Sequence, residues 1–423
     1  MPMSNNSKQI SLQPQLRFPE FRNSGNWAEN IFGELYGFVT TNSLSRDKLN
    51  YEYGTVKNIH YGDIHTKFRA LFDIRNENVP FISEPENVQK EGKLCVEGDV
   101  IFADASEDLD DVGKSIEIVN VDGQKLVAGL HTLHARQKSK KLLVGFAGHL
   151  FQSSSPRTQI KNEAQGAKVL GISASRLASV RVSYPSDKDE QRKIADCLSS
   201  LDQLIEAEGQ KLKVLQRHKK GLMQELFPVE GETVPGRRFP GFADSWVTST
   251  IGKVARVTTG GKDTQNKKEG GAYPFFVRSQ TVERIDTFSY DGEAILTSGD
   301  GVGVGKNFHY INGKFDFHQR VYCICDFNKN VLPKYVYLYF SNYFYSRVSQ
   351  LSAKNSVDSV RMAMITDMPI GLPSYEEQRC IADCLSLADE LILQQRQKLK
   401  NLRMHKKGLI QRLFPAVSEV DHG

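Results

Sequence analysis

The stretch Glu190-Gln-Arg-Lys-Ile-Ala-Asp-Cys-Leu-Ser199 returns 187 residues later as Glu377-Gln-Arg-Cys-Ile-Ala-Asp-Cys-Leu-Ser386. The match continues without a gap to Pro228 and Pro415, and 26 of its 39 positions are identical. Within the first copy, alternating steps of four and three pick out Ile194, Leu198, Leu201, Ile205, Glu208, Leu212, Leu215, Lys219, Leu222 and Leu226. The second copy gives Ile381, Leu385, Ala388, Ile392, Gln395, Leu399, Leu402, Lys406, Leu409 and Leu413. An apolar repeat of this period held for more than four heptads is a coiled-coil seam on a helix about 60 Å long. Both copies break the seam at the same two places, Glu208/Gln395 and Lys219/Lys406. Polar residues in a seam cost stability but fix register and partner. Two matching seams in one chain are expected to pair with each other, antiparallel if a pseudo-twofold axis relates the copies. The other reading is two helices that only brace separate domains.

Outward from the helices, the duplication reaches the whole chain. Arg17-Phe18-Pro19 returns as Arg238-Phe239-Pro240, and the only two tryptophans, Trp27 and Trp246, follow. Gly98-Asp-Val-Ile-Phe102 resembles Gly292-Glu-Ala-Ile-Leu296, and Val112-Gly113-Lys114 resembles Val304-Gly305-Lys306. Asp122-Gly123 and Asn312-Gly313 also correspond, and each reads as a two-residue hairpin turn. The offset falls from 221 at the opening to 194 further on, so the first copy carries about 27 extra residues between Trp27 and Gly98. The order is globular, helix, globular, helix. The expected divisions are a disordered tail over 1–15, a globular domain over 16–183, a helix over 184–228 and a linker over 229–237. A second domain follows over 238–371, then a helix over 372–415 and a tail over 416–423. The fold class is α+β: two mixed α/β domains joined by an antiparallel coiled coil, with an internal pseudo-twofold repeat.

Composition excludes more than it proposes. A chain of 423 residues with 39% apolar and 25% charged residues is ordinary folded protein, and its net charge is only +5. Nucleic-acid binding would therefore need local clustering of basic residues. No apolar run approaches the ~18 residues of a membrane span. The longest, Tyr335-Val-Tyr-Leu-Tyr-Phe340, has strand length. The polar N-terminus lacks a signal-peptide core, and a cytoplasmic protein is expected. Six cysteines show neither metal spacing nor a disulfide framework. His131 and His134 have no third ligand placed near them, so no metal site is assigned. Asp108-Leu-Asp-Asp-Val-Gly113-Lys114-Ser115 has Asp where a phosphate-binding loop needs its first glycine, and Gly301-Val-Gly-Val-Gly305-Lys306-Asn307 has the wrong spacing and Asn in place of Ser or Thr. The chain has no Pro-Pro pair, hence no Asn/Asp-Pro-Pro-Tyr/Phe motif of adenine methyltransferases, and no catalytic residues are assigned.

Two near-identical helices between two diverged globular domains, each helix entered through Pro-Ser then Glu-Gln-Arg, resemble the specificity subunits of type I restriction–modification systems. The resemblance spans about residues 16–415. It implies two target recognition domains that each read one half of an asymmetric bipartite DNA sequence. The helices would set the spacing and dock two adenine-N6 methyltransferase subunits, with restriction subunits joining in the full complex. It also implies a non-enzymatic chain without cofactors of its own: S-adenosylmethionine, ATP and magnesium would belong to the partner subunits. The loop before the closing strand of each domain, Gln165–Ser173 and Lys354–Arg361, resembles one that family members use against DNA, which points to Lys168, Ser356, Asp358 and Arg361. Lys114 and Lys306 suit phosphate contacts, and Arg157, Lys161, Arg278 and Gln280 are further DNA-binding candidates. Two alternatives are a free-standing sequence-specific DNA-binding regulator and a coiled-coil scaffold without nucleic acid.

Overall fold

The computed structural model describes residues 13–84, 93–229, 232–351 and 359–415. The chain forms two compact units that are not contiguous segments: 1–207 with 399–423, and 208–398. The reason lies in the two helices. The central helix (Lys188–Leu226) and the C-terminal helix (Tyr375–Leu413) are each 39 residues long, and each contributes one part to each unit. Both begin just after a Pro-Ser entry and end before a Phe-Pro exit, the placement expected of residues that cannot continue a helix.

In the first unit the start of the central helix packs antiparallel against the end of the C-terminal helix. Ile194, Ala195 and Leu198 share a core with Ile410, Leu413 and Phe414, and Asp202 meets Lys406 at 2.6 Å. In the second unit the roles exchange. Met223, Leu226 and Phe227 share a core with Ile381, Ala382 and Leu385, and Lys219 meets Asp389 at 2.6 Å. Gln395 donates to the Glu208 carboxylate at 2.6 Å, and Lys398 joins it at 2.5 Å. Glu208 and Gln395 are the same position of the repeat, and contact between equivalent positions is what a twofold pairing produces. All ten seam positions of each helix are buried or half-buried, whereas Val214 and Leu393 off the seam are exposed.

The globular part of the first unit carries a five-stranded sheet. Its strand order is Tyr36–Val39, Thr132–Gln137, Val100–Ala103, Ser115–Asn120, Leu71–Asp73. The same unit carries a four-stranded sheet in the order Lys125–Ala128, Val56–Ile59, Phe81–Ile82, Leu49–Asn50, three of whose strands come from the stretch between Trp27 and Gly98 where this copy holds its extra residues. This addition changes the reading of Asp122-Gly123. Both residues have left-handed φ, 48° and 67°, as a primed turn requires. The strands they join do not pair, because Ser115–Asn120 lies in the first sheet and Lys125–Ala128 pairs in parallel with Val56–Ile59 in the other.

The second unit has one six-stranded sheet, in the order Arg256–Thr259, Val321–Cys325, Tyr290–Ser298, Phe308–Phe317, Tyr273–Phe276, Glu283–Ile285. Asn312-Gly313 is not a turn here. It lies inside the strand Phe308–Phe317, with Gly313 opposite Gly292. The turn is made instead by the loop Gly299–Asn307, anchored by buried Val304. Tyr335–Phe340 is also not a strand. It belongs to the helix Pro333–Leu351, for which Pro333 supplies the favoured first residue. Tyr335, Val336, Leu338, Phe340, Phe344 and Val348 are all buried on it. Among the described residues no helix is long and apolar enough to cross a membrane. The six cysteines are free thiols; Cys95, Cys323 and Cys325 are buried and Cys197, Cys380 and Cys384 half-buried.

Candidate nucleic-acid interface

The repeated sequence signature seats each globular part on the start of a helix. Arg17 grips the Glu190 carboxylate with two bonds of 2.7 Å, and Trp27 Nε1 donates to the same carboxylate at 3.2 Å. In the second unit Arg238 grips Glu377 at 2.9 and 2.7 Å, and Trp246 Nε1 donates at 3.2 Å. Both glutamates are 1% exposed. Removing one partner of such a buried pair typically costs about 3–5 kcal/mol. The next residue completes the joint. Gln191 accepts the Leu143 N–H at 2.7 Å and donates to the carbonyls of Lys141 and Pro185 at 3.0 and 2.8 Å. Gln378 treats Leu332, Asn330 and Pro373 in the same way, at 2.8, 3.0 and 3.0 Å. The third residue, Arg192 or Arg379, pairs one turn back with Asp189 or Glu376 on the helix surface. Sequence reading missed this joint, although the paired returns of Arg-Phe-Pro, Trp and Glu-Gln-Arg were its signal.

Each unit then presents two loops side by side. The first loop ends at Gly113-Lys114 in one unit and Gly305-Lys306 in the other. Both glycines have φ of +64°, and a Cβ on them would fall 2.4 Å from Ile160 and 2.8 Å from Tyr345. Only glycine fits either position. Ile160 lies on the helix Ser154–Glu163 and Tyr345 on Pro333–Leu351, the helix that leads to the second loop. That second loop returns to pair with the first. Leu170 and Gly171 bond opposite Ser106 and Ala105, and Ser359 bridges Asp300 while Val360 N–H donates to the Gly299 carbonyl at 2.7 Å.

The charge at these loops differs sharply between the units. In the first unit the loop carries Glu107, Asp108, Asp110 and Asp111. Lys161 is ion-paired to Asp110, and Arg157 donates to the Asp110 carbonyl at 2.9 Å. Burial holds the Arg157 guanidinium below its ordinary pKa. Lys114 donates to the His65 carbonyl at 2.6 Å and lies 3.5 Å from Asp111. Lys168 projects from its loop exposed. In the second unit Arg278 donates to Asp300 at 3.1 Å, and Arg320 approaches the other carboxylate oxygen at 3.8 Å. Gln280 and Arg361 are exposed, and Lys306 is exposed above the Tyr345 ring, 6.0 Å from its centre. Ser356 and Asp358 lie outside the described residues. The structure thus gathers Arg278 with Arg320 on Asp300, while from the neighbouring helix Arg157 is engaged by the Asp110 carbonyl and Lys161 by its carboxylate. Arg320, in the run His318-Gln319-Arg320 that opens a strand, reads from sequence as a weaker candidate, whereas Asp300 was not singled out as a site residue.

His131 and His134 do not face a common point. His131 Nδ1 lies 3.2 Å from Asp104, and His134 Nε2 lies 2.7 Å from Asp99. Cys95, Asp99 and His134 place donor atoms within 4.8 Å of one another. The Asp99 carboxylate also receives Arg136 at 2.9 and 2.7 Å. Burial would raise the Asp99 pKa, but its bonds from Arg136 and His134 prevail and hold it below the ordinary range. A cation at this place would have to displace a guanidinium.

The family profile described as the type I restriction modification DNA specificity domain matches this chain twice, over residues 36–217 and 243–403. The specificity subunit of the Escherichia coli type I restriction enzyme EcoDI is 30% identical over 33% of this chain and 30% of its own length. A putative type I restriction enzyme MjaX specificity subunit of Methanocaldococcus jannaschii is 22% identical over 88% of each chain. In fold, the chain is similar to the crystal structure of the S subunit of a type I restriction–modification system from M. genitalium, with a TM-score of 0.61, 14% identity and coverage of 96% of this chain and 100% of that one. A second similar structure, from work on complex assembly and conformational transition of the type I system, gives a TM-score of 0.56 at 16% identity, covering 92% and 98%.

Proposed function

The chain belongs to the type I restriction–modification DNA specificity family, and from that premise we propose that it reads a bipartite, asymmetric double-stranded DNA target with one unit per half-site. The observation that carries this reading is the contrast within the repeat. The joints Arg17–Glu190–Trp27 and Arg238–Glu377–Trp246 are the same construction twice, whereas the loops they support differ in sequence and in charge. A repeated scaffold with unlike reading surfaces suits a target whose two halves differ. Contacts to phosphates would hold register, and contacts to base edges would discriminate.

The paired helices act in this reading as the spacer between half-sites and as the platform for two adenine-N6 methyltransferase subunits, with restriction subunits completing the assembly. The chain itself performs no chemistry. Methyl transfer from S-adenosylmethionine to an extruded adenine belongs to the methyltransferase partners, and ATP- and magnesium-dependent cleavage to the restriction subunits. The test is an exchange of residues 16–183 for the equivalent segment of a relative of different specificity. N6-methyladenine is then mapped across the genome of a methylation-free host that also expresses the methyltransferase subunits. One half of the methylated motif should change and the other stay. A motif unchanged in both halves would refute the assignment of reader to half-site.

A further inference from the structure

Among the described residues the second unit holds a cluster with no counterpart in the first. The loop Gly299-Asp-Gly-Val-Gly-Val-Gly305 places its two valines oppositely: Val304 is buried, while Val302 is 96% exposed. The loop is therefore anchored by one apolar side chain and presents another to solvent. Glycines make that possible. Gly301 has φ of +78°, and a Cβ on Gly303 would fall 2.1 Å from the Asn307 side chain. Asn307 in turn donates to the Arg278 carbonyl and to Ser298 Oγ, both at 3.2 Å, tying the loop to the end of the strand Tyr273–Phe276. Gly299 N–H donates to the Arg320 carbonyl at 2.8 Å, tying it to the start of Val321–Cys325 as well.

Asp300 stands between those two strand ends and faces both guanidinium groups, Arg278 at 3.1 Å and Arg320 at 3.8 Å. One carboxylate faces two exposed arginines. It uses few of the five N–H donors that each guanidinium carries. In the first unit the corresponding loop is acidic, and its neighbouring cations are engaged by Asp110 and Asp111. Val302, two residues from Asp300, is exposed and contributes nothing to the fold around it, and the two arginines that Asp300 holds at the same loop have the chemistry of a base-edge reader. Arginine pairs with O6 and N7 of guanine, and an apolar side chain packs on the thymine methyl.

We propose that the second unit reads its half-site through this cluster, with Arg278 and Arg320 on guanine edges, Val302 on a thymine methyl in the major groove, and Asp300 as the residue that positions both guanidinia. The inference rests on the DNA-reading function proposed above. Restraint by Asp300 reduces the side-chain freedom lost when the arginines engage the bases.

The test maps N6-methyladenine in a methylation-free host expressing the full chain with its methyltransferase subunits, for wild type, V302A, R278K and R320K. Lysine keeps the charge that a phosphate contact needs but cannot form the planar two-bond pair that guanine needs. Discrimination should fall about tenfold to a hundredfold at a single position per variant, all within the same half of the motif, with the other half intact. D300N should relax both arginine positions together. Val302 is exposed, so V302A tests the reader without disturbing the fold. Variants that methylate the wild-type motif with undiminished discrimination overturn the inference and leave the function standing. Methylation that weakens evenly with no change of motif does the same. A wild-type chain that yields no bipartite motif overturns both.

Discussion

Two buried ionisable side chains in the first unit titrate in opposite senses. Glu117 accepts the Gly145 and Gly148 N–H groups at 3.0 and 2.7 Å. Burial nevertheless pushes its pKa up to about 7, against those bonds, from an ordinary 4.5. Across that interval the unfolded chain has released its proton and the folded chain has not, so stability falls as pH rises. The full penalty, about 3 kcal/mol, is present above pH 7. His149 is pushed down to about 3 by burial, with the charge of Lys406 adding to it. Below the ordinary 6.5 the unfolded chain takes up a proton that the folded chain refuses, so stability falls as pH drops. Between about 4.5 and 6.5 the two slopes oppose each other. Glu117→Gln should remove one of them, and urea midpoints of the variant should then rise with pH across that window. Its advantage over wild type should be small at pH 5 and largest near pH 8. A difference independent of pH would refute the assignment. The residue scale is also where sequence reading was weakest. Glu190 and Gln191 were legible as repeated but not as buried, because nothing in Glu-Gln-Arg shows that Arg17, 173 positions earlier, supplies the compensating charge.

The helices were the most legible element, since a seam needs only its own period to be recognised. Its polar interruptions acquire partners only in the fold. Asp202–Lys406 and Asp389–Lys219 are the same pair seen twice, because both aspartates and both lysines correspond across the offset of 187. Each is half-exposed, so a coupling of about 0.5–1 kcal/mol is expected. Asp202→Lys and Lys406→Asp alone should each destabilise the first unit, and the double exchange should recover most of the loss. Denaturation at low salt measures the cycle. In 1 M salt, where screening acts within about 3 Å, the coupling should shrink. A double variant no better than the sum of its singles would remove the pair from the register argument. Other elements misled for identifiable reasons. Tyr335–Phe340 is apolar on every side and so shows no helical period. Asp122-Gly123 makes a proper turn, but the inserted sheet captures the strand that follows it.

At the scale of the whole molecule, the pairing gives each unit a part of the other copy. Leu399–Leu413 lies in the first unit although it closes the second copy of the repeat. The Arg412 carbonyl accepts the Leu16 N–H at 2.8 Å, and the Phe414 ring meets Trp27 and Phe146 at 6.0 and 5.7 Å between centres. Ile410, Leu413 and Phe414 are all buried there, at about 1.5–3 kcal/mol each. Their sum rivals the stability of an ordinary domain, about 5–15 kcal/mol. A chain ending after Lys398 should therefore lose the fold of its first unit, the one most distant in sequence from the cut. The second unit keeps both of its helix segments, 208–226 and 375–398, and should stay protected. Hydrogen exchange resolves the two outcomes. Loss of protection confined to 238–398 would refute the exchange of helix ends. The same exchange accounts for where the repeat has kept its identity. A helix residue here serves the core of one unit while its counterpart serves the other, so the two helices must answer to one set of packing rules. The loops beside Asp110 and Asp300 answer only to their own unit, and there the two copies have become chemically opposite.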